Sequence, residues 1–146
     1  MRDKWGRRIF TAGGVFLIVI GLVHSISLFT KQVPDNETER QLLDLMGNYR
    51  FNLMGSLRSM AELMRGFSTA FMLSAIGVGA LDLLLARERP QLLKRVALIN
   101  TIWLAVMAAN SLIYFFIVPT SFLSAAILIF ALAWLKLPAT PSSPVL

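Results

Sequence analysis

Hydrophobic residues fall into long blocks separated by short polar segments, and the block lengths set the expected architecture. Ile9 to Phe29 runs 21 residues without a formal charge. About 20 apolar residues in a helix cross the hydrocarbon core of a bilayer, so the first helix is expected over 9–29. Phe67 to Leu85 is broken only by small or hydroxyl residues and Asp82. With its approach it predicts a second helix over 60–85. Pro90 sets a helix start, and Val96 to Val118 predicts the third span, over 96–118. Pro119-Thr120-Ser121 reads as its end and as a short link that forces an antiparallel return. The fourth helix is expected over 121–137. Pro138, Pro141 and Pro144 then predict a flexible tail over 138–146.

The polar interval between the first two blocks has its own pattern. Pro34-Asp35-Asn36-Glu37-Thr38-Glu39 is a helix-start signal, with Asp35 as the expected cap and acids at the positive helix end. Leu42, Leu45, Met46, Tyr49, Leu53, Leu57, Met60 and Met64 then recur in steps of three and four. That stripe predicts an amphipathic helix over about 35–58, lying at a membrane surface and turning into or continuing as the second span. Gly47, Asn48 and Gly55 mark where it bends.

Composition strengthens this picture. Hydrophobic residues make up 56% of the 146-residue chain and charged residues 15%, against roughly a quarter in soluble domains. Mean hydropathy is +0.68. One small core cannot bury that much apolar surface, which excludes a soluble globular protein. The fold class is therefore all-α, an integral membrane four-helix bundle with an amphipathic interfacial helix between helices one and two. A single membrane domain is expected over 1–146, with the lipid bilayer as its first partner.

The net charge of +6 would suggest nucleic acid in a soluble protein. Here the basic residues flank apolar runs, so no nucleic-acid partner is expected. Arg2, Lys4, Arg7 and Arg8, then Arg87, Arg89, Lys94 and Arg95, then Lys136 fall on one side of a four-span layout. Lys31, Arg40 and Arg50 on the other side are offset by Asp35, Glu37, Glu39 and Asp44. The positive-inside rule puts both termini in the cytoplasm, for a bacterial plasma membrane. The basic start and Ser25-Ile26-Ser27 also resemble a signal peptide with a weak cleavage site, but the apolar run is long and continues past it. No Cys is present, which excludes disulfides, thiolate metal sites and cysteine nucleophiles within the chain.

Small residues recur at packing intervals: Gly14 and Gly21, Ala126 and Ala133, Ala75 and Gly79. Such spacing lets membrane helices approach closely, within the bundle or across a homo-oligomer or larger membrane complex.

Polar groups in apolar spans are costly, so each needs an explanation. His24, Arg58, Glu62, Arg65, Asn110 and Tyr114 all fall toward the outer ends of their helices. Glu62 lies four residues after Arg58 and three before Arg65, both helix-neighbour spacings. Two readings stand. In one, the arginines reach headgroups, Glu62 neutralises one of them, and His24 bonds a neighbour. In the other, a pocket opens outward, with His24 or Glu62 transferring protons and Arg65 holding an anionic or carbonyl group, helped by Arg58, Asn110 and Tyr114. Asp82 belongs near the cytoplasmic end, within reach of Arg87, Arg89 or Asn100, as a structural pair or a proton relay. A single histidine cannot supply both imidazoles of a membrane haem, and no cluster of zinc ligands is present, so neither cofactor nor metal is expected. No nucleotide-binding or hydrolase motif occurs.

Gly21-Leu-Val-His24, Asn36-Glu-Thr-Glu-Arg40, Tyr49-Arg-Phe-Asn-Leu-Met-Gly-Ser56, Arg65-Gly-Phe67 and Tyr114-Phe-Phe-Ile-Val-Pro119 together resemble a family of small bacterial four-helix membrane proteins with no assigned activity. In general layout the chain is also distantly similar to DoxX-type membrane proteins. The resemblance covers roughly Ile9 to Leu137. It implies the fold and membrane location and brings no substrate, cofactor or catalytic residue. Three functions follow as expectations: a non-enzymatic accessory subunit or binder of lipid or a small hydrophobe; a small enzyme acting on a lipid, quinone or terpenoid by acid–base chemistry at the outer leaflet; and a transporter component.

Overall fold

In the computed structural model, residues 2–139 are described. Five helices and one hairpin follow in order: α1 (Arg2–Phe29), α2 (Glu37–Asn48), β1 (Arg50–Leu53), β2 (Ser56–Ser59), α3 (Met60–Leu85), α4 (Pro90–Tyr114) and α5 (Ile117–Lys136). Four of them, α1, α3, α4 and α5, are long and apolar enough to cross a membrane. Of the tail expected over 138–146, only Pro138 and Ala139 lie among the described residues. The chain forms two compact units, one made of residues up to Ile20 with those from Ala75 onward, the other of Gly21–Ser74.

The first unit packs helices through small residues. A Cβ on Gly79 would meet the Gly14 carbonyl oxygen at 2.5 Å and Ile18 Cγ1 at 2.8 Å. A Cβ on Gly13 would meet the Phe130 ring at 2.7 Å. Ala75, Ala97, Ala108, Ala126 and Ala133 are buried, while Leu84, Ile99, Val106, Leu112, Leu128 and Leu135 face outward. The larger buried groups are Phe10, Leu17, Leu93, Leu104 and Phe130, with the rings of Phe10 and Phe130 edge to face at 5.8 Å. Small-in, large-out packing suits helices whose outer surface meets an apolar medium.

The long-range hydrogen bonds tie one end of this unit together. Arg7 Nη1 donates to the Ala86 carbonyl at 3.0 Å, and Lys94 Nζ donates to the Leu137 carbonyl at 2.8 Å. The start of α1, the α3–α4 link, the start of α4 and the end of α5 therefore share one end.

The turn between α4 and α5 corrects the expected boundary. Helix α4 ends at Tyr114, α5 starts at Ile117, and the link is Phe115–Phe116 in extended conformation. Pro119 lies in the first turn of α5, where its missing N–H costs no helical hydrogen bond. The turn is fastened by a buried hydroxyl pair, Ser111 Oγ to Thr120 Oγ1 at 2.8 Å. Helices α1 and α4 also begin earlier than the apolar blocks, because their charged first turns are helical too.

In the second unit a helix does lie between the first two long ones, but it is shorter than the 35–58 expected. Helix α2 stops at Asn48, and Arg50–Ser59 forms an antiparallel hairpin pairing Arg50 with Ser59 and Leu53 with Ser56. The cause is the two-residue turn. Met54 and Gly55 have φ of 49° and 90°, the left-handed pair that matches strand twist. Asn52 Oδ1 accepts the Gly55 N–H at 2.8 Å and holds it. The α2 cap is Asn36, not Asp35: Asn36 Oδ1 accepts the Glu39 N–H at 2.9 Å, and Glu39 Oε2 accepts the Asp35 N–H at 2.7 Å.

The close crossing at Gly79 predicts a sharp local contrast. Gly79→Ala should destabilise the fold in detergent by about 1–3 kcal/mol of overpacking, seen as a lowered melting temperature. Gly77→Ala, two residues away with nothing within 4 Å of its added methyl, should not lower it. Equal behaviour of the two variants would refute the close-packed crossing.

Candidate functional site

Four of the six candidate residues belong to the Gly21–Ser74 unit. His24 sits in the last turns of α1, Arg58 in β2, and Glu62 and Arg65 in the first turns of α3. Asn110 and Tyr114 belong to the other unit, near the end of α4. Both are exposed, Tyr114 at 75%.

Glu62 is engaged with groups that the sequence reading did not pair with it. Its Oε2 accepts the Ser59 N–H at 2.9 Å, and Ser59 Oγ accepts the Glu62 N–H at 3.2 Å. This reciprocal pair is a capping box, which satisfies two of the free N–H groups at the start of α3. Its Oε1 lies 3.5 Å from Arg50 Nη2. Among the described residues its ion pair is with Arg50, and Arg58 and Arg65 make none. The hairpin accounts for this choice. Arg50 lies directly across from Ser59, so the ladder delivers its guanidinium to the start of α3.

His24 packs against Phe71, with ring centroids 4.9 Å apart and planes at 72°. Its Nε2 is sealed from solvent and has no hydrogen-bond partner among the described residues. An imidazole nitrogen in that state forfeits its hydration without replacement. It is the unsatisfied polar atom of this unit, and a ligand polar group reaching it would remove the deficit.

The surface of the unit is the other conspicuous feature. Helix α2 buries no residue. Leu42 and Leu45 are exposed on it, as are Leu53, Met54 and Leu57 on the hairpin, with Met54 fully exposed at the tip. The polar face of α2 is internally paired. Glu37 receives Arg40 Nε at 2.8 Å and Gln41 Nε2 at 3.2 Å. The hydrogen bond from Arg40 comes first, with Gln41 adding to it, in holding the Glu37 carboxyl below the ordinary range.

In the other unit, Asp82 is buried and accepts a hydrogen bond from Asn100 Nδ2 at 2.8 Å. Of the partners weighed for Asp82, Asn100 is the one that bonds it. This buried pair joins α3 to α4 beside Gly14, whose added Cβ would lie 3.0 Å from Asp82 Cβ. No group of three or more metal-ligating side chains occurs among the described residues.

Sequence reasoning missed Arg50, Ser59 and Phe71. Ser59-x-x-Glu62 carried a legible signal, the capping-box spacing. Arg50 becomes legible only once the turn at Met54-Gly55 is recognised, and the Phe71 contact has no sequence signature. No family model, curated protein or solved structure matches the chain.

Two outcomes test this arrangement. Ser59→Ala, which removes the cap, should cost about 1 kcal/mol in thermal denaturation, whereas Ser56→Ala at the exposed strand end should cost little. Equal losses would deny the capping role. The lowered Glu37 carboxyl stabilises α2 above the unfolded-state carboxylate range, and this contribution is lost as pH falls through the folded value. Protection factors of the α2 amides, corrected for the intrinsic slowing of exchange in acid, should therefore fall at acidic pH, and Glu37→Gln should abolish that component.

Proposed function

We propose that this is a non-enzymatic multi-pass protein of a bacterial plasma membrane, resembling the small four-helix family described above. Its four long helices span the bilayer as a bundle with both termini in the cytoplasm. It acts as an accessory subunit or as a binder of lipid or a small hydrophobe, and the Gly21–Ser74 unit is the part that engages the partner. Orientation is supported by the basic end of the first unit, where Arg7, Arg87, Arg89, Lys94, Arg95 and Lys136 gather on or beside the linked helix ends.

The observation carrying this reading is the unpartnered apolar surface of α2 and the hairpin. Seven residues separate Phe29 at the end of α1 from the start of α2, and the hairpin leads directly into α3. A segment tethered at both ends to membrane spans stays at the boundary between lipid and water. There an amphipathic helix lays its apolar stripe into the acyl region. The engagement of Glu62 in capping and with Arg50 supports binding over acid–base catalysis.

A second reading, a small enzyme acting on a lipid, quinone or terpenoid at the outer leaflet, draws support from one observation, the sequestered and unpartnered His24 Nε2. It expects His24→Ala to keep protein abundance and abolish a lipid conversion in membranes.

The binding reading is tested with single-cysteine reporters, since the chain has no Cys. A polarity-sensitive fluorophore on Met54→Cys in liposomes should emit as in an apolar medium and be quenched by lipid-borne quenchers. The same label on Arg40→Cys should remain water-like. Water-like emission at both positions would overturn lipid engagement. Apolar emission at position 54 without lipid quenching, together with a stoichiometric co-purifying protein, would assign the surface to a partner subunit.

A further inference from the structure

The first unit carries a shallow hollow at its basic end that the proposed function does not use. It has a volume of about 180 Å³ and is lined by Gln91, Lys94, Arg95, Leu98, Trp134 and Ala139. It lies between the first turns of α4 and the last turns of α5. Two of its side chains are cationic and none is acidic. A carboxylate, Asp3, appears only in the adjoining hollow, which shares Lys94.

Lys94 is held in place. Its Nζ donates to the Leu137 carbonyl at 2.8 Å and lies 5.6 Å from the centroid of the Trp134 ring. An ammonium group has three N–H donors, so two remain after the Leu137 bond. The carbonyl and the ring fix where they sit, and little side-chain freedom is left to lose on binding. Arg95 stands beside it, exposed and in no ion pair among the described residues. Its planar guanidinium suits bidentate bonding to phosphate oxygens. Gln91 adds an amide donor. Leu98, itself exposed, and Trp134 give the hollow an apolar wall, and tryptophan favours the headgroup level of a bilayer.

We propose that this hollow binds the phosphate of an anionic lipid headgroup, with Lys94 and Arg95 as the phosphate ligands and Leu98 and Trp134 against the start of the acyl chains. The inference rests on the membrane placement of the four long helices and is independent of the surface of the Gly21–Ser74 unit. Basic hollows between membrane helices at the cytoplasmic side are suited to such headgroups. The site favours a phosphate carried by lipid because Leu98 and Trp134 offer acyl chains an apolar contact that a free phosphate ion cannot use.

Native mass spectrometry of the full chain in detergent tests the assignment. Phosphatidylglycerol and phosphatidylcholine are titrated separately, and inorganic phosphate is added as a competitor. The expected result is preferential retention of phosphatidylglycerol. Arg95→Gln should weaken that retention about fivefold, the worth of one basic side chain at an anionic surface. Arg40→Gln, the same charge change on α2, should leave it unaltered, and the Met54 reporter should be indifferent to Arg95→Gln. Equal retention of both lipids, or equal effects of the two arginine variants, would overturn the site. Displacement of the lipid by millimolar inorganic phosphate would overturn its lipid source and assign the hollow to a free anion.

Discussion

Where α1 crosses α3, Gly14 and Gly79 leave no space for a side chain, and the packing of the helical unit follows from that closeness. Helices this apolar on their outer faces gain by dispersion between closely apposed surfaces, the term that governs helix association wherever the surrounding medium is itself apolar. Small residues permit it, which is why Gly14, Gly79, Ala75, Ala97, Ala126 and Ala133 lie inside while Leu84, Ile99, Val106 and Leu128 point out. Phe10 and Phe130 fill the wider spaces, and Gly13 makes room for the Phe130 ring.

Close packing also settles the polar residues. Asp82 lies beside the glycine crossing, where water has no place, and Asn100 on the next helix satisfies it. Ser111 and Thr120 do the same at the α4–α5 turn. Membrane double-mutant cycles put such interhelical bonds at about 0.6 kcal/mol, so their value is in fixing helix rotation more than in raw stability. At the opposite end from that turn, Arg7 and Lys94 bond backbone carbonyls at helix ends. The same end then presents a cationic surface beside an apolar wall, which is the chemistry of a lipid headgroup site.

The Gly21–Ser74 unit follows different rules. It buries little and is organised by local hydrogen bonds: the Asn36 cap, the Asn52 turn, and the Ser59–Glu62 box. The hairpin interrupts what the sequence presents as one helical stripe of apolar residues and carries Arg50 to Glu62. A candidate acid–base carboxylate becomes a structural one by this route. His24 is left as the unsatisfied atom of the unit, packed on Phe71.

The sequence by itself determined the four long apolar helices and their order, because block length and charge are properties of the chain alone. It also determined the helix start at Pro90 and the buried need of Asp82, since an acid in an apolar block requires a partner. It did not determine that Pro119 opens a helix instead of closing one, because proline is compatible with either side of a boundary. Nor did the stripe from Leu42 to Met64 reveal the hairpin, because steps of three and four persist across a turn set by only two residues. Which polar groups meet was decided by tertiary structure alone. Helix rotation and strand register bring together residues that sequence spacing keeps apart, as they do for Arg50 with Glu62, His24 with Phe71, and Lys94 with Trp134.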